Sequence, residues 1–147
     1  MLRFDQCHGL APPPTPWSSC VTVRANPDEI IAFGLRIHDH VVRCERTSSG
    51  SSGHSPIYEQ VIVPRNSLPS APGFCDEIEP LLANQGLKVA RRLHRIYAVP
   101  VVTGLVNALI PSAGQAILLI EERAFHEDGR VVLLRRTASA GATITLT

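Results

Sequence analysis

VVRCERTSSGSSGHSPIYEQVIVP, residues 41–64, is the stretch on which the fold turns. Its two arms, Val41 to Thr47 and Pro56 to Val63, are rich in β-branched residues and flank a Ser/Gly run with too little side chain to pack. The pattern predicts a β-hairpin with a long tip. Residues two apart on a strand share a face. Val42, Cys44 and Arg46 therefore line one side of the first arm, and Ile57, Glu59, Val61 and Val63 one side of the second. A register centred on the Ser/Gly loop sets Arg46 opposite Glu59, Cys44 opposite Val61 and Val42 opposite Val63. An Arg and a Glu then meet at the end of an apolar stripe. Charge drawn partly out of water needs a partner. Such a pair either closes on itself, contributing less than about 1 kcal/mol where exposed, or holds a polar ligand between its members. Arg offers a planar fork to carboxylate or phosphate, and Glu accepts from hydroxyl, amine or imidazole.

Outward from the hairpin, Asn26-Pro27-Asp28-Glu29 is a helix start. Asn26 caps, Pro27 fits the first helical position, and Glu29 stands where a capping box wants its acid. Gly34 ends this short helix. Cys20-Val21-Thr22-Val23 before it predicts a strand, and residues 1–20 an extended Pro-rich segment. On the C-terminal side, Asp76 to Gln85 has helical spacing, with Gly86 as its stop and Pro80 as a restart or bend. Leu87 to Val99 alternates as a long strand, and Pro100 opens a third helix. Gln115 to Phe125, the turn His126-Glu127-Asp128-Gly129 and Arg130 to Ala138 form a meander, with Ala142 to Leu146 as a further edge strand. Hairpins dominate, so the class is α+β: a mostly antiparallel sheet with about three short helices, in one domain over residues 1–147.

The 147 residues are enough for one core without a disulfide or metal staple. A net charge of +1 speaks against binding polyanions by bulk electrostatics. The basic run Arg91-Arg92-Leu93-His94-Arg95 splits over both faces of a strand and reads as solvated. Arg123 shares a face with Glu121, the expected ion-pair partner. Cys7, Cys20, Cys44 and Cys75 have no metal-site spacing and read as reduced thiols of a cytoplasmic protein. His38 and His40 hold a metal only if a third ligand reaches them; otherwise they are turn residues. No G-x-S-x-G elbow, phosphate loop or H-E-x-x-H occurs. Neither a cofactor nor a catalytic set is expected.

Taken together, the motifs resemble UTRA domains, the effector-binding halves of GntR regulators of the HutC type. Residues 26–35 resemble the short helix before the family's first core strand. Residues 42–46 resemble its apolar strand ending in Arg, and residues 56–64, with Pro56, Glu59 and Pro64, its return strand. Leu81-Leu82 with Gln85-Gly86-Leu87 is similar to its helix ending in a Gly turn. Residues 112–132 look like its closing hairpin, with Asp128-Gly129-Arg130-Val131-Val132 where the family has D-G-x-P-V.

The resemblance implies a fold shared with chorismate lyase, a homodimer and a small-metabolite effector. It also implies that operator DNA is read by a winged-helix module rather than by this chain. By resemblance, Arg46 and Glu59 line the effector pocket, with Ser48 and Glu77 at neighbouring pocket positions; Arg123 is a further candidate. The sequence departs from the family at Ser48, where a second Arg is usual, and at Glu77, where a Ser is usual. It departs again at Leu133 and Ser139, which replace Glu and Tyr. These changes point away from a sugar phosphate and toward a more apolar pocket. A lyase on the same fold, with Arg91 or Arg123 as a second cation, and a ligand-free dimerisation module are the alternatives.

Overall fold

The computed structural model describes residues 15–48, 57–99 and 117–140. Six strands form one antiparallel sheet: β1 (Ser19–Arg24), β2 (His40–Ser48), β3 (Ile57–Pro64), β4 (Arg91–Val99), β5 (Ile117–Phe125) and β6 (Val131–Ala140). Their order is β1-β2-β3-β6-β5-β4, so β6 is inserted between the first hairpin and the β4–β5 pair. Two α-helices accompany them, α1 (Pro27–Phe33) and α2 (Ile78–Asn84), with a 3-10 turn at Arg65–Ser67. The third expected helix, the Ala142 to Leu146 strand and most of the Pro-rich segment lie outside the described residues. Among the described residues no helix is long and apolar enough to cross a membrane.

The hairpin register is the expected one. Arg46 faces Glu59, Cys44 faces Val61, and Val42 faces Val63. Every strand has two distinct faces, and each face meets one helix. Val42, Cys44, Val61, Val63, Ala124 and Leu133 pack with Trp17, Ile78 and Leu82, so α2 covers this first face. On the second face Val41, Ile62 and Ala25 are joined by Ile30 and Phe33 of α1.

α1 forms as its cap predicts. The Asn26 side chain accepts from Glu29 N–H, and Glu29 Oε1 accepts from Asn26 N–H, both at 2.9 Å. Gly34 closes it in the left-handed region (φ 69°), which glycine enters without Cβ strain. Pro80 causes no bend, because it is the third residue of α2 and its missing N–H has no intrahelical acceptor there. β4 starts four residues later than expected. The Leu87 amide is used to close α2, donating to Leu82 O at 2.9 Å, and pairing resumes where Ala90 N–H donates to Phe125 O.

Glu29 does a second job. Buried to 3 % exposure, it also accepts from Arg43 Nε at 3.0 Å and Nη2 at 2.5 Å, tying α1 to β2. Asn26→Ala removes one cap bond and is expected to destabilise by about 1 kcal/mol. Glu29→Ala strands both the cap amide and Arg43, and roughly 2–4 kcal/mol is expected. Urea unfolding checks this; equal losses for the two variants would show that the Arg43 link contributes nothing.

Candidate functional site

Arg46 stands at the end of the apolar stripe of β2, and its guanidinium is surrounded. Nε donates to Glu59 Oε1 at 2.5 Å on the paired strand. Nη1 donates to Glu77 Oε1 and to the Thr15 carbonyl, both at 2.9 Å. The Trp17 ring lies 4.0 Å below the guanidinium carbon, at cation–π distance. Trp17 is itself buried and anchored, its indole N–H donating to Asp76 O at 2.7 Å. The residue before β1, the hairpin and the start of α2 therefore converge on one side chain. Burial alone disfavours a charged Arg46, but Glu77 and Glu59 together outweigh it and raise its pKa above the ordinary arginine value.

Glu77 is the N-cap residue of α2, yet its side chain makes no cap bond. The carboxylate turns to Arg46 instead. Ser48 is on the same face, its hydroxyl 3.2 Å from Thr15 Oγ1. Arg46, Glu59, Ser48 and Glu77 are thus gathered at one place. Arg123 is not among them. It lies exposed on the second face, beside Leu93, Arg95 and Glu121. The expected Arg123–Glu121 pair is absent, because Glu121 pairs with Arg136 at 3.3 Å on the adjoining strand. A cross-strand neighbour is closer than a residue two along the same strand. Arg91 is also on the second face, its guanidinium 4.5 Å from the Phe125 ring.

The expectation of a more apolar pocket is overturned by β6. Arg135, on the strand next to Glu59, donates Nη1 to Glu122 Oε2 at 2.6 Å and Nη2 to Glu79 Oε2 at 3.3 Å. Its Nε is 3.1 Å from Glu59 Oε2. Arg92 bridges the same two acids, donating Nη1 to Glu122 at 3.0 Å and Nη2 to Glu79. His94 Nε2 lies 3.1 Å from Glu122 Oε1. The basic run on β4 is therefore only half solvated: Arg92 and His94 turn inward to a buried acid. Leu133 is fully buried in the core, and Ser139 is buried on the same face as Arg135. Among the described residues, two polar groups there, Arg135 Nε and the Ser139 hydroxyl, have no aligned hydrogen-bond partner. His38 and His40 are exposed, and no third ligand is gathered about them among the described residues.

Residues 12–144 match the model of the UTRA domain, and the chain belongs to that family. No curated protein sequence matches it. A GntR-family transcriptional regulator from Enterococcus faecalis V583 superposes with a TM-score of 0.76 at 21% identity, over 89% of this chain and 97% of that one. PhnF from Mycobacterium smegmatis gives 0.74 at 16% identity, over 89% of this chain and 59% of that one. The separate effector domain of PhnF gives 0.75 at 15%, over 90% of this chain and 83% of that one. At these identities the likeness shows the fold.

Glu122 ties the network to pH. Burial pushes its carboxyl up, but Arg135, Arg92 and His94 together outweigh burial and hold it below the ordinary carboxylate value. A depressed folded pKa contributes stability that is present above the ordinary value, about 4.3, and is lost as pH falls through the folded one. Glu122→Gln is therefore expected to flatten the fall in stability below about pH 4.3. Urea midpoints across pH 3–7 check it; parallel wild-type and variant curves would contradict it.

Proposed function

We propose that this domain senses a small-molecule effector on the first face of the sheet, around Arg46 and Glu59. In this reading it passes occupancy to a DNA-binding module, and the chain described here does not itself contact DNA. The observation that carries the site assignment is the convergence on Arg46. One side chain joins β2, β3, the start of α2 and the residues ahead of β1. A ligand that competes for Glu59 or Glu77 changes how these elements are tied together. That is what a sensor requires: differential contact between two arrangements of the same elements. The fold family and the effector-domain neighbours support the regulatory role. In this reading the chain is a single domain that acts in the cytoplasm.

No reaction is assigned. A lyase acting on a dicarboxylate needs cations free to receive it. Arg46, Arg92 and Arg135 are each bound by carboxylates, and Arg91 and Arg123 are on the other face. Pyruvate release from chorismate is the direct assay, and turnover would reinstate the enzyme reading.

The domain is read as a homodimer. Edge strand β4 exposes Leu93, Ile96 and Tyr97 at 50, 51 and 38 %, and an apolar edge invites pairing. Sedimentation equilibrium should give a dimer mass that falls to the monomer in Leu93→Lys; a monomeric wild type at tens of micromolar contradicts the reading.

For the sensing role, a metabolite screen by thermal shift should yield a stabilising ligand, by linkage about 2.7 kcal/mol at a hundredfold excess over Kd. Arg46→Ala should abolish that shift. A ligand whose shift survives Arg46→Ala binds elsewhere.

A further inference from the structure

We propose that the effector is an amine that also carries a neutral hydrogen-bonding oxygen, and not a phosphate or a dicarboxylate. This deepens the sensing proposal and rests on its placing the effector at Arg46 and Glu59. Three observations carry it.

The first is that, among the described residues, each guanidinium gathered around Arg46 and Glu59 is already held by carboxylates. Arg46 is bound by Glu59 and Glu77, Arg92 by Glu79 and Glu122, and Arg135 by Glu79 and Glu122 with Glu59 beside it. An anion could be received only by prising one of these pairs apart. That leaves a partly buried carboxylate uncompensated, which is strongly unfavourable.

The second is the balance of charge. Among the described residues of this network, four carboxylates (Glu59, Glu77, Glu79, Glu122) stand against three guanidiniums (Arg46, Arg92, Arg135), one acid in excess. The accessible acid is Glu77, whose side chain is 41 % exposed and whose charged partner among the described residues is Arg46. An ammonium group, three donors on a point charge, can take Glu77 from Arg46, which keeps Glu59 and the Thr15 carbonyl.

The third is the buried Ser139 hydroxyl on β6, which has no hydrogen-bond partner among the described residues. Buried polar groups are nearly always hydrogen-bonded, and those that are not mark functional positions often enough to need an explanation. Thr137 is opposite Glu59, and Ser139 is two residues further along the same strand, opposite Ile57. At the rise of a strand this separates the acid from the hydroxyl by about 7 Å, the span of a small amino alcohol or amino sugar. The amine meets the carboxylates, and a hydroxyl or carbonyl oxygen meets the Ser139 hydroxyl.

The test is a thermal-shift and calorimetric comparison on the intact chain with ligands matched in frame and differing in charge. D-glucosamine, D-glucose and D-glucose 6-phosphate form one trio. Diamines and amino alcohols set against dicarboxylates widen it. Stabilisation is expected within the amine set alone, with affinity falling as salt rises. Glu77→Gln should weaken binding of the stabilising amine at least tenfold, and Glu77→Asp, which keeps the charge, should restore most of it. Glu77 is half-exposed and lies outside the core, so both variants fold. Ser139→Ala should weaken amino alcohols more than simple diamines. Stabilisation by the phosphate or a dicarboxylate, lost in Arg46→Ala, would overturn the amine proposal and leave the sensing role standing. Absence of any shift from all charge classes would overturn both.

Discussion

The partly buried guanidinium of Arg46 is the constraint on which the rest of the site depends. A charge at the end of an apolar stripe must be surrounded. The chain surrounds this one with groups drawn from distant places: Glu59 across the hairpin, Glu77 ahead of α2, the Thr15 carbonyl and the Trp17 ring. Each of these fixes an element. Trp17 brings residues 15–18 alongside the sheet and anchors the loop before α2 through Asp76 and Phe74. Glu77 directs the first turn of α2 toward the hairpin rather than capping its own helix. The core beneath, built on Val42, Cys44, Val61 and Val63, holds Arg46 and Glu59 in register.

The same logic continues across the sheet. Placing β6 beside β3 brings Arg135 next to Glu59, and β5 and β4 then supply Glu122, Arg92 and His94. Glu79 of α2 closes the network from above. α2 is thus attached to the sheet apolarly through Ile78 and Leu82 and ionically through Glu77 and Glu79. A helix of seven residues has little stability of its own, so these contacts set its position. On the proposed reading, occupancy at Arg46 and Glu59 is coupled to the placement of α2, a physical route from binding to a change of shape.

Local features were legible in the sequence where short-range chemistry dictates them. The Asn26 cap with Glu29, the Gly34 and Gly86 stops, and the symmetry of residues 41–64 each use neighbours a few positions apart, and each appears in the structure. The charged network was not legible, because its partners lie as far apart in the chain as Glu59 and Arg135. Strand alternation tells which residues share a face, but not which strands adjoin. The pairing of β3 with β6 is a long-range event that nothing in either strand announces. Parity gave a usable hint that attention to Glu121 and Arg123 obscured. Glu122 alternates with Ile120 and Ala124, and Arg135 with Leu133 and Thr137, so two opposite charges sit on otherwise apolar or small-residue stripes. Trp17 carried a weaker hint, as the single Trp of the chain directly after a Pro-rich run.

The central claim is that the effector is bound on the face shared by Arg46, Glu59 and Ser139. Amide chemical-shift mapping of the isotope-labelled protein, titrated with a stabilising ligand, tests it most directly. The account predicts the largest perturbations at Arg46, Glu59, Glu77, Thr137 and Ser139, with α2 following them. Perturbations concentrated instead on Leu93, Arg95, Glu121 and Arg123, which line a shallow depression on the opposite face, would contradict it.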